Sequence, residues 1–349
     1  NSLKKVSSKK KFVWIKRKSS LKESKRLKQL ALPAVGFKTE TQRFYPKKQL
    51  AAGAIGFVGM DNQGLSGVEH FYDKLLKGLN SLKLEEKDAR GRYFRGPKSD
   101  KMQRDRSPDL VLTLDEVVQY YVEIQLGQAV KKSQAKGGVA VIMVPNTGEI
   151  LALASLPTYN PNKYSVYNPT SWKNVAVSSA FEPGSIFKPI VAAAAIEIGV
   201  ANPEKVFFCE NGSYVIGKTE IGEAAGHKFG WLSLAEVIQK SSNIGVIKIS
   251  EELGSANYYD YIRKFGFGSK SGVDLPGEAS GQLRPLNQWS KLSGASISFG
   301  HEIGATPIQL ISAISVIANG GNLMKPYITK AVMQDGKIVK SYMPYSLRG

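Results

Sequence analysis

Phe181-Glu-Pro-Gly-Ser-Ile-Phe-Lys188, continued by the apolar run Pro189 to Ile198, decides how the rest of this 349-residue chain is read. Ser185 and Lys188 stand three apart at the predicted start of a helix, and positions i and i+3 share a helix face, so the Lys188 amine is within reach of the Ser185 hydroxyl. Pro183 and Gly184 make a turn before them. Ile190, Val191, Ala192 to Ala195, Ile196 and Ile198 predict a helix apolar almost all round and therefore buried, stopped by Gly199. Pro189 lacks an N–H and is tolerated because it falls in the first turn. A serine placed there sits where backbone N–H groups and the helix dipole favour developing negative charge.

Ser-x-x-Lys alone is a weak signal, and Ser7/Lys10, Ser8/Lys11, Ser19/Lys22 and Ser133/Lys136 also match. Those pairs lie in polar, lysine-rich surroundings with no apolar helix behind them, and read as solvated surface. A second element singles out Ser185/Lys188. Ser233 to Lys240 reads as a helix opened by a Ser-x-x-Glu capping box, and Ile244 to Leu253 as another closed by Gly254. Ser241 and Asn243 then fall in the short connection, fifty-six residues and more beyond Ser185, where a hydroxyl and an amide can point into a cleft. Residues of this kind are commonly plain helix caps, and Ser255-Ala-Asn257 has the same form. The pairing carries the weight.

With both elements in place the chain resembles the class B penicillin-binding proteins, the monofunctional serine transpeptidases that cross-link peptidoglycan. Further landmarks in the family's order are Arg43-Phe-Tyr-Pro46, Gly53-Ala-Ile-Gly-Phe-Val-Gly59, Gly64-Leu-Ser-Gly-Val-Glu69, Asn146-Thr-Gly-Glu149, Ala152 to Asn162, Phe265-Gly-Phe-Gly268, Asp274-Leu-Pro-Gly-Glu278 and Ser298-Phe-Gly-His301. The family's third motif, Lys-Thr/Ser-Gly on a strand edge, is the exception. Lys270-Ser-Gly272 fits the letters, but it lies only twenty-seven residues after Asn243, in what the resemblance makes a separate loop. Lys218-Thr219 continues into Glu220 and precedes Asn243. The resemblance thus implies a piece of a longer protein, lacking the family's N-terminal transmembrane anchor and its terminal strands, with unpaired sheet edges and impaired activity as the expectation.

Composition fits an extracytoplasmic domain pair. Hydrophobic residues at 42% suffice for a sizeable core, and no run of about eighteen apolar residues spans a membrane. The single cysteine, Cys209, excludes an intrachain disulfide and lacks a zinc-ligand pattern, so it reads as a buried or incidental thiol. The net charge of +19 is uneven: the first fifty residues hold sixteen Lys and Arg against Glu23 and Glu40. Without a nucleic-acid-binding signature, that arm reads as a basic surface for lipid head groups, wall polymer or a partner.

In chain order, a lysine-rich helical or irregular segment runs to about Leu32, Phe37 to Tyr45 alternates as a strand, Val68 to Leu76 is a short helix, and Lys83 to Pro108 is charge-dense and exposed. Residues 1–108 resemble the family's elongated mixed α/β pedestal, a partner-docking module, and residues 109–349 its transpeptidase domain. There Thr113 is read as capping a helix from Leu114 to about Ala135, its apolar face being Val117, Val118, Tyr121, Ile124, Leu126 and Val130. Gly138–Pro145 and Glu149–Ser155 form a hairpin through Pro-Asn-Thr-Gly, Leu156 to Thr170 a loop, and Ile308 to Ala318 a helix; Tyr327–Met333 and Ile338–Met343 pair through Asp335-Gly336. The expected class is α+β, an antiparallel sheet with helices.

The residue types dictate the chemistry. A serine hydroxyl needs an adjacent base. Lys188 serves if its pKa falls, which the apolar helix and a nearby cation would bring about. Ser241 would relay the proton to the leaving amine, Asn243 would hold a substrate amide, and the Ser185 N–H would be one oxyanion donor. By resemblance, the substrates are peptidoglycan stem peptides, β-lactam antibiotics acylate the same serine, and partners are a membrane-embedded glycosyltransferase and divisome or elongasome proteins. Neither metal nor organic cofactor is implied, nor nucleic acid. Competing readings are a serine β-lactamase or D,D-carboxypeptidase, which uses water as acceptor, a non-catalytic partner-binding relative, and a nucleic-acid binder with salt-dependent affinity.

Overall fold

The computed structural model describes residues 13–33, 35–77 and 107–348. Within the first stretch, α1 (Leu21–Gln29) is held by a Ser20/Glu23 capping box, and three short helices follow: α2 (Ala52–Ile55), α3 (Gly67–Phe71) and α4 (Asp73–Leu76). The helix predicted over 68–76 is thus broken at Tyr72, and Phe37–Tyr45 is not a strand. Alternation makes a strand only where a partner ladder takes up its N–H and C=O groups, and none is present among the described residues. The charge-dense segment expected from Lys83 lies outside the described residues as far as 106.

From Asp109 the chain enters a second, mixed arrangement. β1 (Asp109–Leu112), which the sequence reading left unassigned, leads into α5 (Glu116–Ser133) and the hairpin β2 (Gly138–Met143) and β3 (Ile150–Leu156). Then come α6 (Val175–Ser178), α7 (Lys188–Ile198), β4 (Val206–Phe208), β5 (Ser213–Ile216), β6 (Thr219–Gly222) and β7 (Trp231–Ser233). Five helices follow, α8 (Leu234–Lys240), α9 (Asn243–Leu253), α10 (Ser255–Lys264), α11 (Ser293–Ser298) and α12 (Pro307–Ala318). The described chain ends with β8 (Leu323–Met324), β9 (Thr329–Gln334), β10 (Lys337–Ser341) and β11 (Ser346–Arg348).

Among the described residues the strands pair antiparallel, and one isolated bridge, Glu149 to Tyr327, is parallel. β9 lies between β1 and β10, with Leu110 opposite Val332, and both predicted hairpins form, β2 with β3 and β9 with β10. One core wraps α7 and α9 with Phe187, Ile190, Val191, Val246 and Ile249; a second joins the β2–β3 hairpin to α6 and α12 through Ile150, Leu153, Val177 and Ile308. Val68 and Tyr72 from the 35–77 stretch enter that second core. A third cluster joins Tyr45, Ala52 and Phe57 to Tyr159 in the 157–172 loop, where Asn162 pairs with both Tyr45 N (2.9 Å) and Tyr45 O (2.8 Å).

α5 departs from its expected face. Asp115, not Thr113, caps it, accepting from Val117 N and Val118 N, while Thr113 is buried and donates to Ile150 O at 2.7 Å. Val117 and Tyr121 are exposed, and the buried residue is Gln119. Its amide pairs with Leu153 as a strand residue would, accepting from Leu153 N at 2.8 Å and donating to Leu153 O at 3.0 Å. A polar side chain that satisfies a buried strand edge outweighs the apolar count on which the sequence reading rested.

Candidate active site

The turn carrying Ser185 is clamped from behind. Phe181 and Ala305 exchange backbone bonds (3.0 and 2.9 Å), and Gly184 N donates to Gly300 O at 3.1 Å. Gly300 has φ +83°, and a Cβ there would lie 2.1 Å from the Gly184 carbonyl oxygen, so only glycine fits. The Glu182 carboxylate accepts from Glu302 N (3.0 Å) and meets His301 Nδ1 (2.9 Å). The Ser298-Phe-Gly-His301 landmark is therefore the backing of this turn.

Gly184 to Phe187 form one turn of 3-10 helix that runs directly into α7, with Pro189 in the first turn as the sequence predicts. Phe187 and Lys188 point inward and are buried, whereas Ser185 and Ile186 are exposed at the lip. Ile196, expected inside, is exposed. As a first-turn residue, Ser185 has a backbone N–H without an intrahelical acceptor.

Lys188 is only 2% exposed, and its amine donates to Ser241 O (2.5 Å), Ser241 Oγ (3.1 Å) and Asn243 Oδ1 (2.8 Å). These three acceptors match the three protons of an ammonium. The Ser185 hydroxyl, which the i to i+3 spacing puts within reach, is not among them: the 241–243 turn has taken every donor. Burial brings the Lys188 pKa down to about 8. The nearby cation expected to help is replaced by a carboxylate, Glu223, which acts in the opposite sense.

Ser241 and Asn243 reach the amine through an abrupt helix-to-helix turn. Ser241 closes α8 in the left-handed region (φ 55°, ψ 41°), a conformation that costs a non-glycine residue about 1–2 kcal/mol. Ser242, fully buried, caps α9 by accepting from Gly245 N at 2.9 Å, so Asn243 is already the first residue of α9 rather than a loop residue. The predicted Ser233/Glu236 capping box is present.

Two site residues were invisible to motif reading. Ser242 stands inside the quoted tripeptide without a role of its own, and Glu223 is an isolated acid after β6. In the fold Glu223 is buried and accepts from Ser242 Oγ (2.5 Å), Asn243 N (2.6 Å) and Ile244 N (3.3 Å). No local pattern could have found it, because its partners lie about twenty residues downstream.

Of the two look-alikes for the third motif, Lys270-Ser-Gly272 lies in a loop and Lys218-Thr219 at the start of a strand. Ser271 N, Ser271 Oγ and Gly272 N all donate to the Glu278 carboxylate (2.6, 2.5 and 3.1 Å), and Thr219 opens β6 opposite Ile216. An apolar cavity of about 500 Å³ adjoins Phe181 and Ile186, walled by Val139 and Val141 of β2 and by Leu310 and Ile314 of α12. Among the described residues β2 pairs on one side only, with β3. No group of three or more His, Cys, Asp or Glu among the described residues is arranged to hold a metal.

Residues 138–344 match the penicillin-binding protein transpeptidase domain, and residues 1–107 the penicillin-binding protein dimerisation domain. Stage V sporulation protein D of Bacillus subtilis is 37% identical over 317 residues, 90% of this chain and 49% of that protein. Peptidoglycan D,D-transpeptidase FtsI of Escherichia coli K12 is 34% identical over 319 residues, 91% of this chain and 53% of FtsI. The chain thus spans about half the length of these relatives. The crystal structure of penicillin-binding protein 3 from Mycobacterium tuberculosis superposes with a TM-score of 0.76 at 34% identity, covering 88% of this chain and 65% of that one; complexes of it with aztreonam and ampicillin superpose equally well. A serine at the mouth of a buried helix, a desolvated lysine behind it and a Ser-x-Asn turn closing on that lysine are joined by both family matches, and the chain belongs to the class B penicillin-binding protein transpeptidases.

Proposed function

We propose that the protein containing this chain is an acyl-serine D,D-transpeptidase in which Ser185 is the nucleophile, Lys188 the base, Ser241 the proton relay and Asn243 the substrate-amide contact. The observation that carries the reading is the buried Lys188 amine, with a pKa of about 8, one turn behind an exposed serine and bonded to both Ser241 and Asn243. About a tenth of such lysines are free amine at pH 7, and that fraction grows tenfold per pH unit below the midpoint. The free amine relinquishes one donor bond and can turn to the serine.

Ser185 Oγ attacks the carbonyl carbon of the penultimate D-alanine of a stem peptide and Lys188 takes its proton. The oxyanion gathers at the Ser185 N–H. Collapse breaks the peptide bond, and Lys188, through Ser241, returns the proton to the departing D-alanine nitrogen. An amine from a neighbouring stem peptide then attacks the ester and releases Ser185. A β-lactam acylates the same oxygen by opening its ring, so no leaving group departs. Support comes from the transpeptidase-domain match and from the relative named peptidoglycan D,D-transpeptidase.

Residues 1–108 are proposed as the docking domain and 109–349 as the catalytic one, supported by the dimerisation-domain match and by β1 entering the sheet with β9. On this reading the protein works at the extracytoplasmic face of the cytoplasmic membrane beside a membrane glycosyltransferase and division or elongation proteins. No helix among the described residues is long and apolar enough to cross a membrane.

Intact mass after incubation with a penicillin tests the reading. The full-length protein should gain one penicillin mass and the Ser185→Ala variant none. A persistent adduct separates a transpeptidase from a β-lactamase, which would shed it within the assay. No adduct on the full-length protein overturns the enzyme reading.

A further inference from the structure

We propose that Glu223 is a positioning residue of this site: its buried carboxylate locks the 241–243 turn so that Ser241 and Asn243 converge on Lys188. The proposal rests on the transpeptidase reading above.

Both carboxylate oxygens are committed to the turn. Oε1 accepts from Ser242 Oγ at 2.5 Å and Ile244 N at 3.3 Å, and Oε2 accepts from Asn243 N at 2.6 Å. The acid sits where the α9 dipole and its unpaired first-turn N–H groups favour an anion, yet it reaches that place from β6. Its neighbour completes the fixation. Asn243 Nδ2 donates to Gly222 O at 3.1 Å, which leaves Oδ1 as the end of the amide that faces the Lys188 amine. The last residue of β6 and the Glu223 side chain therefore hold Asn243 from both its amide and its main chain. A plain cap would need only the second.

The charge matters separately. Glu223 raises the proton affinity of Lys188 against the larger, opposite effect of burial. The elements packed around α7 direct their other charges elsewhere. Lys240 of α8 pairs with Glu236, Lys248 of α9 with Glu210, Glu252 with Lys205, Glu251 with Tyr214, and Lys264 of α10 with Asp260. Arg263 of α10 lines a separate groove, α12 has no ionisable side chain, and Glu197 of α7, Lys218, Glu220 and His227 are exposed. Glu223 therefore opposes the effect of burial and favours the protonated amine that is bonded to the turn.

The test is the second-order rate of acylation by a fluorescent penicillin, followed against pH in the full-length protein and in E223Q and E223D. E223Q keeps the volume but loses the charge and one acceptor. Its rate should fall by about tenfold to a hundredfold, the effect of losing charge-assisted hydrogen bonds at a reacting site. The midpoint of its rising pH limb should also move below the parent's. E223D keeps the charge on a shorter arm, and should hold the parent's midpoint at a reduced rate. An E223Q rate and midpoint equal to the parent's overturn the proposal. So does a slowed E223Q with an unmoved midpoint, which would make Glu223 a helix cap and no more. If E223Q does not fold, E223D decides: a displaced midpoint or an undiminished rate overturns it. Failure of the transpeptidase reading shows separately, as no adduct on the parent or an adduct on Ser185→Ala, and removes this proposal with it.

Discussion

Replacing Gly300 by alanine should loosen the turn that carries Ser185. At φ +83° the new Cβ would sit 2.1 Å from the Gly184 oxygen, 2.4 Å from its nitrogen and 2.6 Å from its carbonyl carbon, all backbone atoms that cannot rotate aside. Unstrained carbon contacts need about 3.5 Å, so the two segments must separate by about 1 Å. The Gly184 N to Gly300 O bond of 3.1 Å is then lost. The left-handed conformation costs an L-residue about 1–2 kcal/mol, the lost bond about 1 kcal/mol and overpacking about 1–3 kcal/mol. A net loss of about 3–6 kcal/mol corresponds to a Tm lowered by about 6–24 °C for a domain of this size. Displacing the nucleophile by about 1 Å should slow acylation by about a hundredfold. Gly294→Ala is the control, because nothing lies within 4 Å of its added Cβ and its backbone is ordinary helix. Thermal melting and penicillin acylation of both variants check the prediction. A Gly300→Ala protein that melts and acylates like Gly294→Ala would refute the packing argument.

Three further outcomes follow from the same structure. Acylation by penicillin should climb with pH through about 8 as Lys188 loses its proton, and because folding lowers that pKa from 10.5, the unfolded chain binds more protons between these values. The stability contribution of this lysine therefore rises with pH across that window, and urea unfolding at pH 7.5 and 9.5 in the parent and Lys188→Met reads its sign. Asp274→Ala should cost about 2–4 kcal/mol, since it orphans the buried Ile328 N and Thr329 N (2.7 and 2.9 Å) and strands the Tyr72 hydroxyl; a change in urea midpoint smaller than that of Tyr72→Phe would contradict it. Cys209, fully buried with its thiol pKa pushed up by desolvation, should resist iodoacetamide in the native protein and react on unfolding, as mass spectrometry would report.

Local chemistry was legible in the sequence wherever a structure is decided by neighbours. Pro183-Gly184 before an apolar run gave the turn and α7; Pro-Asn-Thr-Gly and Asp335-Gly336 gave the two hairpins; Ser233 and Glu236 gave the start of α8. The candidate residues Ser185, Lys188, Ser241 and Asn243 were named from residue type and spacing, together with a family resemblance. What spacing could not decide is which groups meet. An i, i+3 count puts Lys188 on Ser185, but a buried ammonium must satisfy three donors, and the fold supplies them from Ser241 and Asn243 across more than fifty residues. Glu223 and Gln119 were illegible for the same reason: a buried polar side chain is set by distant backbone groups that need a partner. Phe37–Tyr45 alternates yet finds no strand partner among the described residues, while Asp109–Leu112 carries little pattern and becomes a strand because β9, more than two hundred residues away, offers it a ladder. Turns and caps are settled within a few residues of chain; hydrogen-bond satisfaction in the interior is settled only when the chain has folded.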